Sequence, residues 1–87
     1  MDRRIGFVGI ILETREGVEE VNRVLSVHAD LVLARVGLPR REKGLSVITL
    51  VVEATTDELG ALTGSLGKIA GVSVKSALAK HEKREGC

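Results

Sequence analysis

The apolar residues of this chain form four short blocks separated by polar stretches. The blocks at residues 5–12 and 45–54 are nearly continuous runs rich in Ile, Val and Leu, which predict well-buried strands. The blocks at residues 31–38 and 72–79 alternate in part, with Val32, Ala34 and Val36 expected on one face of the first. Arg35 and Lys75 interrupt these two blocks, so we expect them at the edges of a sheet whose centre is made by the continuous runs.

Two stretches with helical spacing separate the strand blocks. Thr14 can cap a first helix, whose apolar residues include Val18, Val21, Val24 and Leu25. In the second stretch, Thr55 and Glu58 have the spacing of a capping box, and Gly71 suits the left-handed position that ends a helix. The order strand, helix, strand, strand, helix, strand predicts an α+β, ferredoxin-like βαββαβ sandwich with two helices on one face of a four-stranded antiparallel sheet.

The second helix carries a stripe of glycines, Gly60, Gly64 and Gly67, nearly opposite its stripe of leucines. The two stripes lie roughly 150° apart on a helix, so the leucines can pack on the sheet while the glycines face away. Each interior glycine weakens a helix by about 1 kcal/mol relative to alanine, so the bare face calls for a reason. Three alternatives remain open: close packing against another helix or sheet, approach of an anionic ligand, or no special role. A phosphate-binding loop is excluded, because Leu62 and Ile69 stand where that motif needs Gly and Ser or Thr.

One face of the predicted sheet has no helix to cover it. That face carries either Ile5, Phe7 and Ile11 or their even-numbered neighbours, and both sets are apolar. An apolar face of this kind predicts a partner, most simply a second copy of the chain. We therefore expect a homodimer or higher homo-oligomer that buries the free face or extends the sheet edge.

Composition narrows the class of protein further. The 87 residues allow a single domain, which we place at residues 1–80, followed by a charged and disordered tail at residues 81–87. The only cysteine is Cys87, so no internal disulfide is expected, and a cytoplasmic location is the default. No apolar run is long enough to cross a membrane, and the formal net charge of +1 gives no general attraction to nucleic acid.

The sequence offers no catalytic or metal-binding constellation. His28, His81 and Cys87 are not at ligand spacing, and no Ser or Cys lies beside a His in a recognisable pattern. Both predicted helices are used to cover the sheet, so none remains to read DNA. We therefore expect a protein that is not an enzyme, with no cofactor, no metal and no direct contact with DNA.

Two places could bind a small ligand. The turn around Thr14, Arg15 and Gly17 leaves the first strand and enters the first helix, where free backbone amides suit an anion, or the turn serves only to cap the helix. Arg35 stands inside a strand and could bind a carboxylate, but pairing with Glu13 or Glu53 across the sheet is the preferred interpretation.

The chain resembles the iron-only hydrogenase system regulators, which are ACT-like transcriptional regulators related in fold to the C-terminal domain of nickel-responsive repressors. The resemblance rests mainly on the segments at residues 35–39 (RVGLP) and 56–67 (TDELGALTGSLG), and more loosely on Gly71 and Val72. It implies a ferredoxin-like oligomer linked to maturation or expression of iron-only hydrogenase. The histidine and cysteine cluster of the nickel-responsive relatives is missing, so nickel sensing is not implied. ACT domains bind amino acids near the turn that Thr14, Arg15 and Gly17 occupy here.

The prediction that follows is a non-enzymatic regulatory module that senses a small metabolite at a subunit interface. The residues to test are Thr14, Arg15, Gly17 and Arg35. The alternative is a structural or protein-interaction module that docks a protein partner, such as a maturation factor, through Gly60, Gly64 and Gly67.

Overall fold

The computed structural model describes residues 2–80, which form four strands and two helices in the predicted order. They are β1 (Arg4–Leu12), α1 (Glu16–Val27), β2 (Val32–Arg40), β3 (Leu45–Ala54), α2 (Thr56–Gly67) and β4 (Val72–Leu78), with short 3-10 turns at Ala29–Leu31 and Arg41–Lys43. The charged tail predicted at residues 81–87 lies outside the described residues.

The sheet has the strand order β2-β3-β1-β4, and all neighbouring strands are antiparallel. The ferredoxin-like fold class is therefore confirmed. The two continuous apolar runs became the central strands β1 and β3, and the two interrupted runs became the edges, as their composition predicts. A central strand has a neighbouring strand on each side and little contact with solvent, whereas an edge strand is more exposed and tolerates charged residues.

The two faces of the sheet differ sharply in burial. On β1 and β3 the even-numbered side chains are buried under the helices, including Val8, Ile10, Leu50 and Val52, each 0% exposed. Val21 and Leu25 of α1 and Leu59, Leu62 and Leu66 of α2 close this core. The odd-numbered side chains point to the uncovered face, which settles the register left open by the sequence.

Strand β2 departs from its predicted pattern because it contains a β-bulge. Val32 opposes Val52 on the covered face, but the pairing shifts and Ala34 opposes Val51 on the open face. The prediction that Val32, Ala34 and Val36 share a face is therefore wrong for Val32, since one extra residue moves a side chain to the other face. The strand also continues through Pro39, which an edge strand accepts because its free side needs no N–H donor.

Helix α2 begins as predicted and ends earlier than predicted. Thr55 Oγ1 accepts the N–H of Glu58 at 3.0 Å, and the Glu58 carboxylate accepts the N–H of Thr55 at 2.9 Å, which completes the capping box. The helix stops at Gly67 instead of continuing to Gly71. Two tight turns connect it to β4, and Gly71 has the positive φ of 79° that only glycine adopts readily.

The first and last strands are tied together where β1 begins and β4 ends. The Ala79 N–H donates to the carbonyl of Ile5 at 2.8 Å. The Arg4 guanidinium donates to the carbonyls of Ala79 at 2.8 Å and Lys80 at 2.5 Å, and to Thr56 Oγ1 at 2.8 Å. One arginine therefore joins the start of the central strand, the end of the edge strand and the beginning of α2.

Candidate functional site

The turn between β1 and α1 packs against the turn between α2 and β4. The Glu13 N–H donates to the carbonyl of Gly71 at 2.8 Å, which links the two turns. Thr14 Oγ1 accepts the N–H of Gly17 at 3.3 Å. The capping position before α1 is nevertheless Arg15, which makes no side-chain capping bond, so Thr14 lies one residue before the position predicted for it. A Cβ on Gly71 would lie 2.9 Å from Thr14 Cγ2, so the glycine allows the turns to approach closely.

A cleft of about 480 Å³ lies where α1 begins and α2 ends. Thr14, Glu16, Gly17, Glu20 and Val24 line one side, and Ser65, Lys68, Ile69 and Ala70 line the other. The volume is in the range of small-molecule sites, which are concave and mostly apolar with a few placed polar groups.

The walls of the cleft carry opposite charges. Glu16 and Glu20 are four residues apart and so share one face of α1, while Lys68 follows the last residue of α2. Glu20 is also paired with Arg23 on the same helix. The Lys68 cation adjoins the negative end of the α2 dipole. The cleft therefore suits a ligand that carries both a cationic and an anionic group.

The structure brings together only part of the predicted ligand site. Thr14 and Gly17 line the 480 Å³ cleft, whereas Arg15 lines a neighbouring pocket of about 120 Å³ with Pro39 and Arg40. The sequence reasoning did not assign Glu20, Ser65 or Lys68 to this site. The spacing of Glu16 and Glu20 was the available signal for the acidic wall.

Arg35 lies elsewhere, and its predicted pairing is wrong. Its guanidinium donates to Asn22 Oδ1 at 2.8 Å, not to Glu13 or Glu53. Arg35 opposes Leu50 on the covered face, whereas Glu53 opposes Ile5 on the open face, so the sheet separates the two side chains. Arg35 lines a separate pocket of about 290 Å³ beside Leu25 and Ser26.

The glycine stripe of α2 faces open space. Gly60, Gly64 and Gly67 are all exposed, and a Cβ added to any of them would have no heavy atom within 4 Å. The predicted orientation, with leucines on the sheet and glycines away from it, is what the structure has. Nothing within residues 2–80 requires glycine at these three positions for space, so their use as an interface stays a prediction.

An ion-pair cluster occupies the opposite end of α2. Arg3 contacts Glu58 at 2.8 Å and Asp30 at 3.4 Å. The hydrogen bond from Arg3, helped by the backbone N–H of Thr55, lowers the pKa of Glu58 from its ordinary 4.5 to about 2. The same hydrogen bond raises the pKa of Arg3. This cluster joins the start of β1 to the start of α2 and lies away from the cleft.

Residues 2–80 contain neither a metal-binding cluster nor a membrane-spanning helix. Between residues 2 and 80, no three His, Cys, Asp or Glu side chains are grouped so that they could hold a metal ion. None of the helices in this part of the chain is long and apolar enough to span a membrane.

The fold places the chain among the ACT-like ferredoxin folds. The ACT domain of GTP pyrophosphokinase from Chlorobium tepidum superposes with a TM-score of 0.74 and 20% identity, covering 86% of this chain and 99% of that one. A formyltetrahydrofolate deformylase from Pseudomonas putida matches with a TM-score of 0.68 and 16% identity, over 88% of this chain but 29% of the deformylase. At these identities the likeness concerns the fold alone.

The family is narrower than the fold. Residues 4–76 match the TM1266-like family, described as "Iron-only hydrogenase system regulator, putative". Protein TM1266 from Thermotoga maritima superposes with a TM-score of 0.87 and 39% identity, covering 91% of this chain and 100% of that one. The chain belongs to this family, and the resemblance drawn from its sequence is confirmed. No curated protein matches its sequence.

Proposed function

We propose that the chain is a regulatory module without catalysis of its own, which binds a small charged metabolite in the cleft between the start of α1 and the end of α2. The observation that carries this proposal is the cleft itself, with Glu16 and Glu20 on one wall and Lys68 on the other. A ligand with an ammonium group and an acidic group would satisfy both walls, and its apolar part would lie against Val24 and Ile69.

The arrangement of the remaining residues supports binding over chemistry. Thr14 and Ser65 supply hydroxyls to the cleft, but His28, the histidine of residues 2–80, does not line it. A hydroxyl nucleophile needs a base within hydrogen-bond reach, and an imidazole is the commonest choice. The family's description as a regulator agrees with a sensing role.

The family, and not the cleft, supports a role within the iron-only hydrogenase system. Both helices pack on the sheet through their apolar residues, so we assign no DNA-reading element to the domain. We propose that ligand binding changes how the module contacts another protein, and that an effect on hydrogenase maturation or expression is passed on in this way.

A thermal-shift screen of amino acids, nucleotides and metal ions tests the proposal. A ligand that binds only the folded state raises the midpoint of unfolding in a concentration-dependent manner. The shift produced by a hit should be lost in Lys68→Ala and in Glu16→Gln and kept in Lys43→Ala, which removes a cation outside the cleft. A screen without any stabilising compound, or a hit that is indifferent to Lys68→Ala, would count against a sensor at this place.

A second candidate function is a protein-docking module. The open space in front of Gly60, Gly64 and Gly67 favours it, because a backbone without side chains allows another chain to approach closely. The variant Gly64→Leu separates the two functions. Loss of a partner or of the oligomer with an intact ligand response would favour docking. A ligand response in a variant whose partner binding and oligomer are unchanged would favour sensing, because Gly64 does not line the cleft.

A further inference from the structure

The uncovered face of the sheet is a continuous apolar surface. It carries Ile5, Phe7, Ile11, Val36, Leu38 and Val51, which are between 40% and 67% exposed. These residues lie on the same face of three adjacent strands, where Phe7 is directly opposite Val51, and Ile11 and Leu38 flank Val47 from either side. A patch of this composition on a small domain indicates a binding surface.

The edges of the sheet are poor places for a second chain to join. Strand β2 has a bulge between Val32 and Ala34 and a proline at position 39, and both features oppose pairing with another strand. Strand β4 carries Lys75 in its middle, and a lysine on an edge strand has the same effect. Association through the face is therefore favoured over extension of the sheet.

The size of the face is close to what a specific dimer needs. With strands about 4.8 Å apart and about 3.3 Å per residue, the four strands cover about 500 Å² when taken as flat. Two copies with aligned strands would bury about 1,000 Å² in total, and a crossed arrangement would bury less, before the relief of the side chains is counted. This area is near the lower limit of specific interfaces. A second copy of this chain offers a surface of the same area and the same apolar character.

Two charged residues of this face, Glu53 and Lys75, would be set over each other by one position of a two-fold axis, while Arg40 at the far end of β2 is paired with Glu42. Glu53 lies opposite Ile5 on one side of β1, and Lys75 lies opposite Gly9 on the other. In a face-to-face dimer, the two-fold axis that sets Glu53 of one copy over Lys75 of the other must pass midway between these two positions. The midpoint lies on β1 halfway from residue 5 to residue 9, which is Phe7.

The same two-fold axis also places apolar residues of the two copies against each other. Phe7, the only aromatic residue of the chain, meets Phe7 of the second copy. Val51 falls close to Gly9 of the second copy, where the open face has no side chain and an added Cβ would have its nearest neighbour at 3.8 Å. The strands of the two sheets cross at about 70° in this arrangement, which is closer to orthogonal than to aligned sheet packing.

We propose that the open sheet face is a homodimer interface with its two-fold axis over Phe7, flanked by two symmetric Glu53–Lys75 pairs between the copies. The two pairs are equivalent because a two-fold interface repeats every contact. This assignment is independent of the cleft and of any ligand, because the cleft lies on the helix side of the sheet.

Charge exchange tests this arrangement. Sedimentation equilibrium is measured for the full chain, for Glu53→Lys, for Lys75→Glu and for the variant that carries both changes. Each single change places like charges opposite each other twice, and we expect it to raise the dimer dissociation constant by about tenfold or more. The double variant restores opposite charges, so its dissociation constant should return to within about threefold of the unchanged protein.

A matched control and two contrary outcomes complete the test. Glu19→Lys changes the net charge by the same amount as Glu53→Lys, but on the exposed side of α1, and should leave dimerisation unchanged. A monomer at micromolar concentration would overturn the proposal. A dimer that neither single change weakens, or that the double change does not restore, would overturn the proposed axis. Circular dichroism of each variant shows whether it is folded.

Discussion

The glycine stripe of α2 allows a direct prediction about stability. Replacing Gly60 and Gly64 by Ala should make the isolated protein more stable, although both positions lie in a segment that carries the family resemblance. Neither residue has a positive φ, and a Cβ on either would meet no atom within 4 Å. The new methyl groups therefore introduce no clash and remove the entropic weakness of glycine.

The size of the effect follows from helix propensity. Gly to Ala inside an exposed helix contributes about 1 kcal/mol, so the double variant should gain about 2 kcal/mol of unfolding free energy. For a domain of this size, each kcal/mol moves the midpoint of thermal unfolding by about 4–8 °C, so we expect a rise of about 8–16 °C. Gly67 is left unchanged because it is the last residue of the helix.

Chemical and thermal unfolding followed by far-UV circular dichroism measures this gain. All variants must be compared at one protein concentration, since dimerisation would add to the apparent stability. Gly71→Ala is the control, because its φ of 79° and the nearby Thr14 methyl should make alanine destabilising there. A double variant no more stable than the unchanged protein would refute the reasoning, since the stripe would then be covered in the folded state.

Three further predictions concern the sheet, the ion-pair cluster and the core. Gly6→Ala should destabilise by about 1–3 kcal/mol, because its Cβ would overlap the neighbouring strand and lie 2.6 Å from a leucine methyl, whereas Gly37→Ala has no atom within 4 Å and should be neutral in urea unfolding. Glu58 has a folded pKa of about 2 against an ordinary 4.5, so its contribution to stability is complete above pH 4.5 and is lost as the pH falls towards 2. A pH series of denaturant unfolding should therefore show the gap between the unchanged protein and Glu58→Gln closing over that window, and a constant gap would contradict the assignment. Leu62→Ala removes a side chain that is 0% exposed and should cost about 2–5 kcal/mol, and a smaller loss by calorimetry would mean that the core closes around the gap.

The fold could be predicted because its signals are local. Continuous and interrupted apolar runs distinguish central from edge strands, and the pair Thr55 and Glu58 marks the start of α2 within four residues. The faces of β2 could not be predicted in the same way. A bulge after Val32 inserts one residue, and this moves Arg35 to the covered face, where it meets Asn22. No residue type at residues 31–38 indicates that the strand contains a bulge.

Only part of the candidate cleft could be predicted from the sequence, and the reason is similar. Thr14 and Gly17 could be selected because they leave a strand and enter a helix, which is a local property. Lys68 and Ser65 join them only because the two crossover units bring the start of α1 beside the end of α2. Their contribution depends on packing between segments about fifty residues apart, which periodicity does not encode.

The tie formed by Arg4 bears on how the domain can be connected to other chains. Since β1 and β4 are antiparallel neighbours, the backbone enters and leaves the sheet at adjacent positions, about 5 Å apart across the strand pair. A unit with adjoining ends can be inserted into a surface loop of a larger protein without stretching its host. A circularly permuted domain is also possible, in which a short linker joins the end of β4 to the start of β1 and the chain is opened at the turn before β3. Arg4 also joins this junction to Thr56 in the first turn of α2, so the ends of the two strands and the start of the helix share one side chain.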